Sequence, residues 1–168
     1  MGNFKEDIAR TRALIFDVDG VMTDGGLVPL ADGDFIRKYN TKDGYALSRA
    51  LQKGYRIGVI TFGRGPTLCR YMAAAGIRDL YTECADKPAA LHDFLTRYGL
   101  DPQEVVYMGD DIPDVACMRE VGIPVCPADA AVEVLEASRY VSQFGGGRGA
   151  VRDIVEQVLR ARGDWAEE

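Results

Sequence analysis

Short apolar runs alternate with longer segments of helical periodicity along most of the chain. This alternation is typical of an α/β fold with a mostly parallel sheet. The predicted strands are Ala13–Phe16, Arg56–Ile60, Asp79–Tyr81, Val105–Met108, Ile123–Cys126 and Tyr140–Ser142. The predicted helices are Tyr45–Gln52, Thr67–Ala75, Pro88–Tyr98, Pro113–Val121, Ala130–Ala137 and Val151–Arg162.

One segment interrupts this rhythm. Residues 25–40 read GGLVPLADGDFIRKYN, with two apolar arms on either side of Asp32 and Gly33. Asp-Gly is a dipeptide that favours the tight turn of a hairpin. We therefore predict a β-hairpin that projects from the sheet.

Length and charge limit the classes of protein that this can be. The 168 residues are enough for one domain, which we expect to span residues 1–168. The chain has 20 Lys and Arg against 26 Asp and Glu, for a net charge of −6, which argues against nucleic acid or an acidic membrane surface as a partner. We find no run of signal-peptide or membrane-spanning character and expect a cytoplasmic protein.

The cysteines and the histidine give little support to nucleophilic thiol or Ser-His chemistry. The cysteines are widely spaced, form no C-x-x-C pair and have apolar neighbours, so we expect small buried residues with reduced thiols. They are Cys69, Cys84, Cys117 and Cys126. The single histidine, His92, lies in a helical pattern, where we expect a structural role.

Carboxylates follow two of the predicted strands. Asp17 and Asp19 end the first strand, and Asp110, Asp111 and Asp114 follow the strand VVYM. Because parallel strands end at the same edge of a sheet, these acids should share one site. All-oxygen ligands suit a hard divalent cation such as Mg²⁺. The alternative is that each acid only caps a turn or a helix.

A carboxylate is already ionised at neutral pH and can attack phosphorus if a cation offsets the shared negative charge. Thr61, directly after RIGVI, and Lys87, at a helix start, could take the remaining phosphate oxygens. Each alone has a simpler interpretation, Thr61 as a cap and Lys87 as a solvated surface residue. The order of acid pair, threonine, lysine and acid cluster is more specific than either.

With these residues the sequence resembles a haloacid dehalogenase-superfamily phosphatase. The motifs are DVDGV at 17–21, Thr61, Lys87 and GDDIPD at 109–114. The resemblance implies a Rossmann-like, doubly wound, mostly parallel sheet and a phospho-aspartyl mechanism. In this mechanism Asp17 attacks phosphorus.

The same resemblance implies the roles of the other acids. Asp19 would protonate the leaving oxygen and then activate water. Asp17, the backbone carbonyl of Asp19, and Asp110 would hold Mg²⁺. Asp111 or Asp114 would orient the metal's waters or Lys87.

A closer resemblance covers residues 13 to about 160. DGVMTDG at 19–25, YNTKDGYAL at 39–47, the acid cluster, and GGRGAVR at 146–152 resemble the capless 3-deoxy-D-manno-octulosonate 8-phosphate phosphatases. This implies no cap domain, a homotetramer, and a role in lipopolysaccharide sugar biosynthesis. It also implies that the hairpin and the glycine-rich C-terminal segment, within about 144–168, help to close a neighbouring subunit's site, so that the sites lie near subunit interfaces.

The implied substrate is a phosphorylated 2-keto-3-deoxy sugar acid, which carries a phosphate and a carboxylate. The candidate substrate-binding residues are Asn40, Lys42, Asp43, Arg64, Arg70 and Arg148. Arginine offers bidentate geometry to a carboxylate. The family commonly reads Thr-Gly-Arg after the second motif strand, but Phe62 intervenes here and displaces Arg64 by one position.

Three alternatives stay open at this point. The substrate could be the nine-carbon 9-phosphate homologue. The chain could be a non-catalytic oligomerisation domain, although the full set of acids, Thr61 and Lys87 argues against it. A phosphotransferase or mutase would need to exclude water, which a capless site does poorly.

Overall fold

A computed structural model describes residues 3–165, and its centre is a parallel sheet. The strands are β1 (Ala13–Phe16), β2 (Val28–Pro29), β3 (Phe35–Ile36), β4 (Arg56–Ile60), β5 (Asp79–Tyr81), β6 (Val105–Met108), β7 (Ile123–Cys126) and β8 (Tyr140–Val141). Six of them form one sheet in the order β5-β4-β1-β6-β7-β8, and each neighbouring pair is parallel. β1 is therefore central, with β4 and β6 on its two sides.

Helices connect the strands and cover both faces of this sheet. They are α1 (Phe4–Ile8), α2 (Thr41–Gln52), α3 (Pro66–Ala74), α4 (Lys87–Tyr98), α5 (Val115–Glu120), α6 (Val132–Ala137) and α7 (Ala150–Ala161). Short 3₁₀ turns occupy Pro102–Glu104 and Ile112–Asp114. Among the described residues no helix is long and apolar enough to cross a membrane.

The two faces of β1 belong to two separate hydrophobic cores. Leu14 and Phe16 pack in the core that contains the apolar stripes of α2 and α7. Ala13 and Ile15 pack in the opposite core, with α4 and α5. Successive side chains of a strand point to opposite faces, so a continuous apolar run such as ALIF requires cover on both sides. The doubly wound arrangement supplies that cover.

β2 and β3 form the predicted hairpin, apart from the main sheet. Gly33 adopts a φ of +87°, which costs glycine no steric clash, and Asp32 Oδ1 accepts the Asp34 N–H at 3.0 Å. The returning arm is fixed to the body of the protein, because Asp34 accepts hydrogen bonds from the backbone N–H and the hydroxyl of Thr67, both at 3.0 Å. Within residues 3–165 no separate cap domain is evident.

The predicted strands of the main sheet are confirmed, five of them with the same bounds, while β8 ends one residue earlier than predicted. All six helix predictions miss the N-terminal end, and those for α3, α5 and α7 also end one residue too late. α2 begins at Thr41 because Asn40 caps it, accepting the N–H groups of Lys42 and Asp43. α5 is shorter than predicted, because its first turn is 3₁₀, and α1 was not predicted.

The cysteine prediction is partly wrong. Cys117 and Cys126 are buried, but Cys69 is exposed on α3 and Cys84 is half-buried. All four are free thiols, as predicted. His92 is exposed on α4 beside Glu120.

Candidate active site

The predicted catalytic residues meet at the carboxyl edge of the sheet, where β1, β4 and β6 end. They line a small cavity of about 150 Å³. Its lining residues are Asp17, Asp19, Thr61, Phe62, Gly63, Lys87, Asp110, Asp111 and Pro113. Segments that are distant in sequence are therefore brought to one point by the strand order.

Lys87 is the connection between the two acid motifs. Its ammonium donates to Asp17 Oδ2 at 2.8 Å and to Asp114 Oδ1 at 2.7 Å. Lys87 is the first residue of α4, which Asp86 caps by accepting the Ala89 N–H at 3.0 Å. The helix start thus aims the lysine inward, and the residue is only 2% exposed. The simpler interpretation of Lys87 as a solvated surface residue is wrong.

Asp114 is fully buried and fully used by this network. Besides Lys87, its Oδ1 accepts the Tyr107 hydroxyl at 2.8 Å, and its Oδ2 accepts the Asp110 N–H at 3.1 Å. Burial and the charge of Asp114 keep the pKa of the Tyr107 phenol well above its usual value. Tyr107 therefore stays a hydrogen-bond donor, and Asp114 orients Lys87 and the loop that carries Asp110.

Burial and crowding raise the pKa of the nucleophile candidate. The pKa of Asp17 rises to about 6, because burial and the nearby charge of Asp114 outweigh the attraction of Lys87. Burial alone would lower the pKa of Lys87, but the charges of Asp17 and Asp114 overcome this effect and raise it. The lysine consequently remains charged.

One carboxylate oxygen of Asp110 accepts no hydrogen bond from the described residues. Its Oδ1 is buried and has no hydrogen-bond partner in residues 3–165, and its pKa rises to about 7 through burial and the charge of Asp17. Carboxylate oxygens of Asp17, Asp110 and Asp114 lie within 4.8 Å of one another. Since Asp114 is already occupied, Asp17 and Asp110 are the carboxylates left for a cation. The donor set is all oxygen, which fits Mg²⁺.

The first loop must come very close to Asp110, and a glycine permits this. Gly20 has a φ of +90°, and a Cβ on it would lie 1.9 Å from Asp110 Oδ2. Any other residue at position 20 would displace that carboxylate.

Asp19 is not one of the three clustered acids, and its side chain pairs with Arg37. Arg37 Nε donates to Asp19 Oδ1 at 2.8 Å, and Nη2 donates to Oδ2 at 3.2 Å. Arg37 directly follows β3, and the sequence did not point to it. The sequence did contain one indication, because Phe35 and Arg37 are two positions apart and therefore lie on the same side of the returning arm. Only the fold of the hairpin shows which group that side contacts.

Thr61 is 1% exposed and sits where β4 ends. Its Oγ1 accepts the Gly63 N–H at 2.9 Å, so the hydroxyl hydrogen remains available to an anion in the cavity. Phe62, the residue that displaces Arg64, is half exposed at the rim, 5.5 Å from Lys87 Nζ to the ring centre.

Asp111 lies at the outer edge of the cavity. It is exposed, and its Oδ1 accepts the N–H of Ile112 at 2.8 Å, which starts the 3₁₀ turn. Of the two acids that the resemblance offered as partners of Lys87, the one in contact with it is Asp114.

The candidate substrate-binding residues do not form one cluster. Asn40 and Arg148 line a second cavity of about 310 Å³ together with Asp24, Lys38, Tyr39 and Gly147. Asp43 is buried, and its Oδ1 accepts the Arg152 N–H at 2.8 Å, which joins α2 to α7. The remaining three, Lys42, Arg64 and Arg70, are exposed.

The glycine-rich segment packs tightly on the first loop of its own chain. The Gly147 N–H donates to the Val21 carbonyl at 3.0 Å, and Asn40 Nδ2 donates to the Gly147 carbonyl at 3.2 Å. A Cβ on Gly146 would lie 1.9 Å from the Gly20 carbonyl oxygen. Glycine is therefore required there for close backbone approach.

A model of the haloacid dehalogenase-like hydrolases matches residues 69–145. The chain is 36% identical over 156 residues to 3-deoxy-D-manno-octulosonate 8-phosphate phosphatase KdsC of Escherichia coli, covering 93% of this chain and 83% of the relative.

Solved structures agree with this sequence similarity. The phosphatase of the same name from Yersinia pestis superposes with a TM-score of 0.93 at 35% identity, covering 96% of this chain and 87% of that one. The one from Moraxella catarrhalis, solved with magnesium ion, phosphate ion and a KDO molecule, gives a TM-score of 0.91 at 26% identity, covering 96% and 92%.

The raised pKa values predict how the stability of the metal-free protein depends on pH. Asp17 and Asp110 have folded-state pKa values of about 6 and about 7, against an ordinary 3.8. Between these values the folded state binds more protons than the unfolded state, so the free energy of unfolding should fall as pH rises. We expect chelator-treated protein to melt at a lower temperature at pH 8 than at pH 5, measured by circular dichroism.

The variant Asp110→Asn is the control, because an amide cannot ionise. It should show a shallower decline over the same pH range, and Mg²⁺ should raise the melting temperature at pH 8 in the wild type more than in the variant. Identical slopes in the two proteins would contradict this account of the acid cluster.

Proposed function

The chain belongs to the 3-deoxy-D-manno-octulosonate 8-phosphate phosphatase family, and from this premise we propose that it removes phosphate from that eight-carbon sugar acid. It is a phosphoric monoester hydrolase that uses Mg²⁺. The observation that carries the proposal is the cavity in which Lys87 bridges Asp17 and Asp114 beside Asp19, Thr61 and Asp110.

We assign the metal to Asp17, Asp110 and the backbone carbonyl of Asp19. A divalent cation at this position would offset the negative charges of nucleophile and phosphate and polarise the phosphoryl oxygens. Lys87 and the Thr61 hydroxyl would donate to phosphate oxygens, and Asp114 would hold Lys87 in place.

In the first step a carboxylate oxygen of Asp17 bonds to phosphorus, and the bond from phosphorus to the sugar oxygen breaks. The bonding electron pair goes to the leaving oxygen, which takes a proton from the carboxyl of Asp19. Lys87 keeps Asp17 oriented through the hydrogen bond to Oδ2.

In the second step Asp19, now a carboxylate, takes a proton from a water molecule. The water oxygen bonds to phosphorus, the bond to Asp17 breaks, and inorganic phosphate leaves. The open cavity admits this water, which favours hydrolysis over phosphoryl transfer to another acceptor.

The test of this function is phosphate release from the eight-carbon 8-phosphate and the nine-carbon 9-phosphate. We expect a higher kcat/KM for the eight-carbon substrate, loss of activity with EDTA and recovery with Mg²⁺. Asp17→Asn and Asp19→Asn should each reduce turnover to near background, since one removes the nucleophile and the other the proton donor.

Asp93→Asn is the matched control, because Asp93 is an exposed carboxylate on α4 away from the cavity. It should retain wild-type activity. A wild type that releases no phosphate from either substrate would favour the non-catalytic alternative, and near-normal turnover in Asp17→Asn would rule out this mechanism.

For the carboxylate end of the substrate we propose Arg148 and Asn40, which share one cavity, with Lys42, Arg64 and Arg70 as exposed cations outside it. Arg148 is exposed and lines the second cavity with Asn40 and Lys38, so two cations and an amide are available there. Asp43 serves through its hydrogen bond to α7, which keeps the start of α2 beside the glycine-rich segment.

Arg148→Ala should lower kcat/KM for the sugar acid phosphate about ten- to hundredfold, the worth of a charged hydrogen bond. The kcat/KM for p-nitrophenyl phosphate, which has no carboxylate, should change little. Arg160→Ala on the exposed side of α7 is the control. An unchanged ratio between the two substrates in Arg148→Ala would assign Arg148 to packing.

We further propose that the chain forms one domain over residues 1–168 and works as a cytoplasmic homotetramer with sites near the subunit interfaces. The hairpin supports the assembly, because Leu27, Val28 and Ile36 are 42%, 57% and 52% exposed. A two-stranded ribbon cannot bury such side chains by itself, and partner subunits would cover them.

Light scattering should therefore give the mass of a tetramer, and Val28→Asp should reduce it. Val132→Asp is a matched control, because Val132 is a similarly exposed valine, at 65%, but lies on α6 outside the hairpin. A monomer in the wild type, or equal effects of the two variants, would contradict assembly through the hairpin.

A further inference from the structure

The ion pair between Arg37, at the end of the hairpin, and Asp19 is bidentate and mostly buried, which is rare for a surface contact. We propose that Arg37 is a positioning residue, which fixes the Asp19 carboxyl group for proton transfer to the leaving oxygen. The inference rests on the proposed function, in which Asp19 is the proton donor.

The contact is bidentate and largely shielded from water. Both oxygens of Asp19 accept from the guanidinium, at 2.8 and 3.2 Å, and the Arg37 side chain is 2% exposed while that of Asp19 is 26% exposed. Two parallel N–H···O bonds fix the plane of a carboxylate as well as its position. Arg37 therefore limits the rotation of Asp19 about both of its side-chain bonds. Its two N–H groups take one lone pair of each oxygen, and the other lone pairs, which the guanidinium does not face, are where Asp19 carries the proton that it gives to the leaving oxygen.

Arg37 is itself held by the protein at several points. Its Nη1 donates to the Arg64 carbonyl at 3.3 Å, which lies on the loop after β4. Three residues earlier Asp34 binds Thr67, and a Cβ on Gly65 would lie 2.0 Å from Asp34 Oδ1. The hairpin is thus fixed to the loop after β4 by Arg37 itself and to the start of α3 by Asp34.

Gly63 shows how closely the groups around Asp19 are packed. A Cβ on this glycine would lie 3.0 Å from Arg37 Nη2, 3.0 Å from Thr61 Oγ1 and 3.1 Å from Asp19 Oδ2. The ion pair therefore sits directly beside the hydroxyl that we assign to the phosphate. An arginine in this place acts on the reacting region through Asp19.

The proposal predicts that removal of Arg37 lowers kcat/KM most for the substrates whose leaving oxygen most needs a proton. A sugar alkoxide is a poor leaving group and needs the proton from Asp19, phenolate needs it less, and p-nitrophenolate leaves with little help. If Arg37 positions the donor, its removal must harm the first kind of substrate most. Since kcat/KM covers the steps up to release of the leaving group, it isolates this effect from the later attack of water.

The experiment measures kcat/KM of wild type, Arg37→Ala and Arg37→Lys with the sugar acid phosphate, phenyl phosphate and p-nitrophenyl phosphate. For Arg37→Ala we expect a loss of about ten- to hundredfold with the sugar acid phosphate, a smaller loss with phenyl phosphate and almost none with p-nitrophenyl phosphate. Arg37→Lys keeps the positive charge but cannot make two parallel hydrogen bonds, so its kcat/KM for the sugar acid phosphate should lie between those of Arg37→Ala and the wild type.

The two aryl phosphates carry no carboxylate, so the series distinguishes positioning from substrate binding. Equal losses with all three substrates would show that Arg37 binds phosphate, and a loss confined to the sugar acid would show that it binds the carboxylate; either result overturns the proposal. Arg78→Ala, which removes an exposed arginine ahead of β5, controls for net charge. Thermal unfolding of each variant confirms that it is folded.

The outcome also separates this inference from the function on which it rests. A wild type inactive towards all three phosphates would refute the proposed function. An active wild type with an unchanged substrate profile in Arg37→Ala would refute the role of Arg37 alone.

Discussion

The arrangement of the site depends on the electrostatic repulsion among the carboxylates at the carboxyl edge of the sheet, which other groups must offset. Asp17, Asp110 and Asp114 place oxygens within 4.8 Å of one another in a partly buried cavity, where like charges interact strongly. One buried ammonium, that of Lys87, lies between two of these acids and lowers the cost. The negative charge that Lys87 does not offset lies on Asp110, and this charge is the physical reason for a divalent cation.

Much of the fold could be predicted because the strands are buried on both sides. Runs such as ALIF and VVYM have no polar position to obscure their ends, and the turn residues that follow them are clear. Helix starts were harder to predict, because a cap such as Asn40 extends α2 back into a polar stretch that has no helical period. Short α1 has too few residues to show a period at all.

Only part of the site could be predicted from the sequence, because topology positions some of its residues and the packing of helices and loops positions the others. Asp17, Asp19 and Asp110 follow strands, so their shared edge follows from topology. Lys87 could be named, but its burial depends on the direction in which α4 leaves the sheet. Arg37 could not be found, because its partner is set by the twist and anchoring of a hairpin, and Asp43, chosen for the substrate, lies inside and joins two helices.

The position of β1 in the middle of the sheet has a consequence for folding during synthesis. Its neighbours on the two sides, β4 and β6, come from residues 56–60 and 105–108, and the face that carries Leu14 and Phe16 also shares a core with α7 at residues 150–161. A chain emerging from the ribosome therefore has its central strand long before β6 and α7, although α2 follows sooner. Part of that apolar surface stays open to chaperones and to aggregation until α7 has been made.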